Sequence, residues 1–158
     1  MNLSEKIKSR REELGLSDVE LAHACGLTTH SYSDIELYPD ELCEVVPLRA
    51  AKRLSSELRW NLLDLLEIPC AFCAPAGKFE EEYSLPPSEL TRHQREKHGW
   101  SVDDLGNRVN YHGIEMSELE ADPNRIEDWR INDLQRLSAV LEIPLQLLLG
   151  VRCASCGR

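Results

Sequence analysis

Two pairs of cysteines have the spacing of a metal site. Cys70 and Cys73 are separated by two residues, and Cys153 and Cys156 repeat that spacing 83 residues later. Zinc binds four thiolates in a tetrahedron with bonds of about 2.3 Å, and one Cys-x-x-Cys turn supplies two of them. The spacing therefore predicts one structural zinc held by all four cysteines, provided that the fold brings the two turns together.

Two other uses of these cysteines stay open. Each pair could bind a metal across a homodimer, or the pairs could hold no metal and act as idle or redox-active thiols. Haem attachment is excluded, because no histidine follows Cys73 or Cys156. A thioredoxin-like site is not supported, because the chain shows no strand–helix–strand pattern. Cys25 and Cys43 lack a partner motif.

The sequence that precedes each cysteine pair is also repeated. Leucines recur at the same offset of 83 residues, and further upstream the offset becomes 84, where Arg11, Glu12, Gly15 and Ser17 match Arg95, Glu96, Gly99 and Ser101. A shared pattern with a single-residue shift indicates a duplicated unit. We therefore predict a domain at residues 1–73, a linker at 74–86 and a second domain at 87–158.

Each unit shows the start and stop signals of helices, and neither contains a convincing strand. Ser17 with Glu20, and Ser101 with Asp104, have the spacing of a capping box. Gly26 and Asn110 are suited to the left-handed turn that ends a helix. We expect an all-α fold in which the terminal helices of the two units pack against each other through Leu62, Leu65, Leu66, Leu145, Leu148 and Leu149.

A pattern of small and apolar residues runs through the first unit at Gly15, Leu16, Ser17, Leu21, Ala22, Gly26, Leu27, Tyr32, Ile35 and Glu36. The second unit follows it more loosely at Gly99, Trp100, Ser101, Leu105, Gly106, Asn110, Met116, Leu119 and Glu120. The pattern resembles the lambda-repressor/Cro-like (XRE-type) helix-turn-helix family. The resemblance implies two tandem five-helix domains, and with the cysteine turns we expect a pseudo-two-fold arrangement.

That family places the second of its two turn-linked helices in the major groove of DNA. Carried over to the first unit, the resemblance implies a DNA-binding set of small polar residues, namely Thr28, Thr29, His30, Ser31 and Ser33. Such side chains can hydrogen-bond to base edges or phosphates. The corresponding helix of the second unit carries Glu115, Glu118 and Glu120, so we expect that unit to have lost DNA contact.

The charge of the chain limits its partners. The formal net charge is -10, with 8 basic and 13 acidic residues in 1–69 and 10 and 15 in the remainder. Acidity opposes binding to phosphates, although a local basic patch can suffice. The favoured function is a DNA-binding transcription regulator with a structural zinc. The alternative is a protein-interaction module, such as an adaptor, antitoxin or anti-repressor, that binds a protein through its acidic second domain.

Other classes of protein are disfavoured. No nucleophile has a base at usable spacing and no glycine-rich phosphate loop follows a strand, so we do not expect an enzyme. No apolar run approaches the length of a membrane span, and the N-terminal residues lack an apolar signal core. We expect a cytoplasmic protein, either a monomer that imitates a dimer or a homodimer.

Overall fold

A computed structural model describes residues 1–73, here called the first half, and residues 81–158, the second half. The first half consists of helices joined by short turns. They are α1 (Leu3–Glu13), α2 (Asp18–Cys25), α3 (Thr29–Leu37), α4 (Glu41–Glu44), α5 (Leu48–Glu57) and α6 (Leu62–Leu65). The segment between α3 and α5 therefore contains one short helical turn, α4.

The second half repeats this order of elements. A 3-10 helix at Glu81–Ser84 precedes α7 (Pro87–Lys97), α8 (Val102–Val109), α9 (Gly113–Ala121), a 3-10 helix at Arg125–Asp128, α10 (Ile131–Leu141) and α11 (Leu145–Leu149). Neither described half contains a β-strand, and the only extended pairing found there is a single bridge. The prediction of an all-α fold is confirmed. Residues 74–80 of the predicted linker lie outside the described residues, and the domain boundaries stay a prediction.

The predicted capping residues begin and end the helices. The side chain of Ser17 accepts a hydrogen bond from the backbone of Glu20, whose carboxylate accepts one in return, and Ser101 and Asp104 form the same box. Gly26 and Asn110 both adopt left-handed backbone conformations, with φ of 73° and 62°. These local signals are confirmed, because they depend only on neighbouring residues.

Matching positions in the two halves differ by 84 residues through α4 and by 83 from Pro47 onward. We call such positions equivalent. Arg11 in α1 forms a two-pronged ion pair with Glu36 at the end of α3, and the equivalent residues Arg95 and Glu120 form the same pair. Both pairs bridge the first and third helices of their half, so each half is locked by the same contact.

The two halves share one connected apolar core, and the contacts at their junction are reciprocal. Helix α5 packs on the 3-10 helix of residues 125–128, and α10 packs on α4, which is the equivalent pairing. The bridge joins Pro47 to Arg130, which are themselves equivalent positions, and the N–H of Leu48 donates to the carbonyl of Trp129 at 2.8 Å. Buried side chains from both halves line this core, among them Leu48, Leu54, Ile131 and Leu134.

Polar contacts at the rim of the junction differ between its two sides. On one side α5 forms ion pairs with the 3-10 helix, Arg49 with Asp128 and Lys52 with Glu127. On the other side the amide of Asn132 lies 3.5 Å from a carboxylate oxygen of Glu44. Reciprocal surfaces therefore meet, but among the residues that the structure describes the ion pairs of the junction lie on one side.

The leucines of the terminal helices are used differently from the expectation. Helix α6 packs mainly on α5, and α11 packs mainly on α10 and α7. Leu62, Leu65 and Leu148 are buried there. The two terminal helices therefore contribute chiefly to the core of their own half. The junction is formed by α4, α5, α10 and the 3-10 helix of residues 125–128.

Candidate metal centre

The four predicted cysteines converge. The Sγ atom of Cys70 lies 3.6 Å from that of Cys156, and the Sγ atom of Cys73 lies 3.8 Å from that of Cys153. All four sulfurs lie within 4.8 Å of one another. A regular tetrahedron with zinc–sulfur bonds of about 2.3 Å has edges of about 3.8 Å. The spacing of the four thiols is therefore compatible with their binding one tetrahedral metal ion.

Each cysteine pair lies in a tight turn, and each turn contains the same kind of hydrogen bond from a backbone N–H to its first cysteine. The N–H of Phe72 donates to Cys70 Sγ at 3.4 Å, and the N–H of Ser155 donates to Cys153 Sγ at 3.4 Å. Such bonds from the backbone stabilise a thiolate, which is the form that binds metal. We call residues 70–73 the first corner and residues 153–156 the second corner.

The thiols in the cluster have opposite tendencies to lose a proton. Backbone N–H groups of Cys156 and Ser155 lower the pKa of Cys153 to about 6. Hydrogen bonds with Cys156, then Cys70 and Cys153, raise the pKa of Cys73 to about 12. Thiolates this close repel one another, so a cation is needed for all four to lose their protons together.

A buried glutamine that the sequence analysis did not single out connects the two corners. Gln146 is 1% exposed, and its Oε1 accepts a hydrogen bond from the N–H of Ala71 at 2.9 Å. Its Nε2 donates to the carbonyls of Val151 at 3.3 Å and Arg158 at 2.9 Å, on either side of the second corner. The equivalent residue in the first half is Leu63. A glutamine in place of leucine within a leucine-rich helix is the sequence signal that could have identified Gln146.

Asn61 makes a second connection between the halves near the cysteines. Its Nδ2 donates to the carbonyl of Arg152, next to the second corner, at 2.8 Å, and its Oδ1 accepts from the N–H of Leu63 at the start of α6. In the sequence, Asn61 has the position of an ordinary helix N-cap. Only the fold shows that its second polar atom reaches across to the other half.

The donor set suits a soft or borderline metal. Four sulfurs in tetrahedral arrangement favour zinc or an iron–sulfur site, whereas magnesium and calcium prefer oxygen ligands. Four protein ligands leave no open coordination position, which is the arrangement of a structural site. The cluster of Cys70, Cys73, Cys153 and Cys156 can therefore hold one metal ion, and its arrangement does not include a disulfide.

The predicted DNA-binding residues lie together at the start of α3. Thr28 is the helix cap, and its hydroxyl accepts from the N–H of Ser31 at 3.1 Å. The hydroxyl of Ser33 donates to the carbonyl of Thr29 at 2.9 Å. Thr28, Thr29 and His30 are exposed, whereas Ser31 and Ser33 are half-buried. The five side chains share one accessible surface, and their contact with DNA stays a prediction.

Glu36, an acidic residue at the end of α3, is paired within the fold. Glu36 receives both prongs of Arg11, at 2.5 and 2.9 Å, and the hydroxyl of Tyr32 at 2.7 Å. Asp34 is one quarter exposed and lies 3.7 Å from His30. The charge of Glu36 is thus neutralised within the fold, so less negative potential reaches the exposed start of α3 than the sequence alone indicates.

The equivalent surface of α9 has a different chemistry. Gly113 replaces Thr29, and Ile114, which is 70% exposed, replaces His30. Glu118 is exposed and forms an ion pair with Arg125 at 3.0 Å. This surface is therefore acidic and apolar where that of α3 is small and polar.

Comparison of the chain with protein-family models, with curated proteins and with solved structures yields no match. Among the residues that the structure describes, no helix combines the length and the apolar character that crossing a bilayer requires.

Proposed function

We propose that this chain is a helix-turn-helix regulator of the lambda-repressor/Cro-like type, in which zinc on four cysteines holds two units in one molecule. The first unit contacts DNA through α3, and the protein acts as a transcription regulator. The single observation that carries the proposal is the convergence of the two corners, because it joins the equivalent ends of two units with the same order of helices.

The contacts between the halves support an approximate two-fold relation of the units. Under such a symmetry a contact from one position to a second implies the contact with the roles exchanged. Exchanging equivalent residues turns the contact of Cys70 with Cys156 into that of Cys153 with Cys73, and both contacts are present. Pro47 contacts Arg130, which is its own equivalent position. Regulators of this class reach such a symmetry by dimerising, and they bind two half-sites on DNA.

The proposed role of zinc is to fix the orientation of the units. A structural zinc site adds its binding free energy to folding, because the unfolded chain does not present the ligands together. Here two ligands come from the C-terminal end of each of the two copies. Removing the metal should therefore loosen the relation between the units before it unfolds either helix core.

The start of α3 is the better of the two surfaces for DNA. Its exposed groups are hydroxyls and an imidazole, and the N-terminus of a helix carries a partial positive charge that attracts phosphate. Ile114 and Glu118 on the equivalent surface of α9 would bring an apolar side chain and a negative charge to the same place. The first unit should therefore dominate any contact with DNA.

A matched pair of substitutions tests the DNA-binding proposal. Ser33→Glu on α3 and Ser117→Glu on α9 place the same charge at equivalent positions. Binding to mixed duplex DNA is measured by fluorescence anisotropy over a range of salt concentrations. We expect Ser33→Glu to weaken binding at least tenfold and Ser117→Glu to change it less than twofold, with affinity falling steeply as salt rises.

The same titration can refute the proposal. Binding that is absent at low salt, or that weakens equally in the two variants, would exclude the assigned surface of α3. His30→Glu and Ile114→Glu form a second matched pair of exposed positions, so the result does not depend on one hydroxyl. Circular dichroism of each variant verifies that the helices are retained.

One observation favours a protein partner as the second candidate function. Large apolar side chains are exposed at Leu37, Tyr38, Val45 and Ile114, between 58% and 70%. Together with the net charge of -10 they suit an apolar partner with basic residues better than they suit DNA. Absence of DNA binding together with a stoichiometric complex after co-purification from cells would support this candidate.

A further inference from the structure

We propose that the four-cysteine cluster is also an oxidation site, at which hydrogen peroxide expels the metal and closes two disulfides across the halves, Cys70 with Cys156 and Cys73 with Cys153. This inference deepens the proposed function, since it concerns the regulation of the same metal centre. Its distinctive content is the connectivity. Each disulfide joins the two halves, and neither closes within a Cys-x-x-Cys corner.

The distances between sulfurs support this connectivity. Two sulfur–sulfur hydrogen bonds, at 3.6 and 3.8 Å, both run between the halves. They use each of the four cysteines once, so both bonds can form in the same molecule. A disulfide needs the sulfurs to move to about 2.05 Å, which is a shift of less than 2 Å along each contact.

The cluster is open to a small oxidant. Cys73 and Cys156 are exposed, and they belong to different facing pairs, so each prospective disulfide has one accessible sulfur. Peroxide can therefore begin the reaction at either pair without unfolding of the helices.

The reaction balances with two molecules of hydrogen peroxide. In each pair one thiolate sulfur attacks a peroxide oxygen, an S–O bond forms, the O–O bond breaks and hydroxide leaves. The facing thiolate then attacks that sulfur, the S–S bond forms, the S–O bond breaks and a second hydroxide leaves. Each pair gives up two electrons to one peroxide molecule, and the buffer acid supplies the two protons that convert its two hydroxides to water. The metal is released once its four ligands are lost.

The connectivity has a structural consequence. The facing cysteines lie 86 and 80 residues apart in the chain, whereas a disulfide within a corner would close a loop of only a few residues. A cross-link over a long loop restricts the unfolded chain much more than one over a short loop. Oxidation would thus exchange a metal connection for a covalent one, and the halves would stay joined without zinc.

Tryptic peptide mapping of the intact protein distinguishes the two connectivities. Trypsin cleaves after Arg59, Lys78 and Arg152, so both cysteines of the first corner fall in residues 60–78 and both of the second in residues 153–158. The purified protein is treated with hydrogen peroxide, remaining thiols are alkylated, and the digest is analysed without reduction. Released zinc is measured with the chromophore 4-(2-pyridylazo)resorcinol.

We expect one covalently linked pair of peptides, lighter by the hydrogens of two disulfides, and about one zinc released per chain. Two separate peptides that each contain a disulfide would overturn the connectivity while leaving the metal centre intact as a proposal. A linked pair from protein that contains no zinc would refute the zinc and support the cross-link. Conversion to sulfinic or sulfonic acid without disulfides would refute the proposal.

The remaining cysteines serve as an internal control. Burial raises the pKa of Cys25 and that of Cys43 to about 11, and both residues fall in one tryptic peptide, residues 12–49. These thiols should remain alkylatable at the peroxide concentration that oxidises the cluster. Their oxidation at the same rate would show general damage and would count against a specific site.

Two double variants test the pairing independently of the metal. Cys70→Ser with Cys156→Ser removes one facing pair and leaves Cys73 with Cys153. Cys70→Ser with Cys153→Ser leaves Cys73 with Cys156, which belong to different assigned pairs. Peroxide should link the peptides several-fold faster in the first variant, and equal rates would contradict the assigned pairs. The mapping of the wild-type protein stands even if these variants fold poorly.

Discussion

Replacing Gln146 by leucine removes the hydrogen bonds that connect the two corners. Its side chain accepts from Ala71 and donates to Val151 and Arg158, while 99% of its surface is buried. Leucine occupies the equivalent position of the first half, as Leu63, and has a similar volume. Gln146→Leu therefore changes polarity while keeping the packing close to the original.

The expected effect follows from these three bonds. Each neutral hydrogen bond contributes about 0.5–1.5 kcal/mol to stability, so their loss costs about 2–4 kcal/mol. A buried leucine recovers about 1 kcal/mol through its apolar surface. The free energy of unfolding should fall by about 2 kcal/mol. Substituting a residue that orients metal ligands typically lowers metal affinity by about 10- to 100-fold, and we expect Gln146→Leu to lower zinc affinity within that range.

The assay combines a competition titration with a chromophoric zinc chelator and a urea unfolding curve of the zinc-loaded protein. Gln135→Leu is the matched control, because Gln135 is an exposed residue of the neighbouring helix α10 and is not part of the connection. The control should bind zinc as the wild type does. Zinc affinity of Gln146→Leu within twofold of the wild type, with unchanged stability, would refute the positioning role of Gln146.

Two further substitutions test the helix contacts by urea unfolding. Burial raises the pKa of Glu36, but hydrogen bonds from Arg11 and Tyr32 outweigh it, so the pKa is lowered in the folded protein. Glu36→Gln should therefore lower the free energy of unfolding by about 2–4 kcal/mol above about pH 5, and the difference should shrink as the pH falls below about 4. A difference that does not depend on pH would contradict this. Gly106→Ala should lower the free energy of unfolding by about 1–3 kcal/mol although alanine favours helices, because the added Cβ would lie 2.7 Å from the carbonyl oxygen of Tyr111. A gain in stability would contradict that close approach.

Several features could be predicted from the sequence because they depend on neighbours in the chain or on the repeat. Ser17 begins α2 and Gly26 ends it through contacts within a few residues. The convergence of Cys70 and Cys153 followed from their place in the repeated pattern. It needed only the assumption that equivalent ends of two units can meet, and the sulfur distances bear it out.

Other features depend on how the halves meet, which no local signal encodes. The junction uses Pro47 and Arg130, which immediately precede α5 and α10, whereas the leucines that suggested an interface are used within each half. Gln146 looks like one polar residue in an apolar helix until the fold places Ala71 beside it. Gly106 occupies the position of Ala22 in the first half, and only the structure shows that the backbone of the turn between α8 and α9 passes too close there for a Cβ.

X-ray absorption at the zinc K-edge of the purified, reduced protein tests the proposed zinc centre most directly. One zinc per chain should appear with a first shell of four sulfurs at about 2.3 Å and no nitrogen or oxygen neighbours. A protein without zinc would contradict the zinc centre, and so would a first shell that contains lighter ligands. A shell of two sulfurs would show that the corners bind separately, contrary to the convergence of Cys70, Cys73, Cys153 and Cys156.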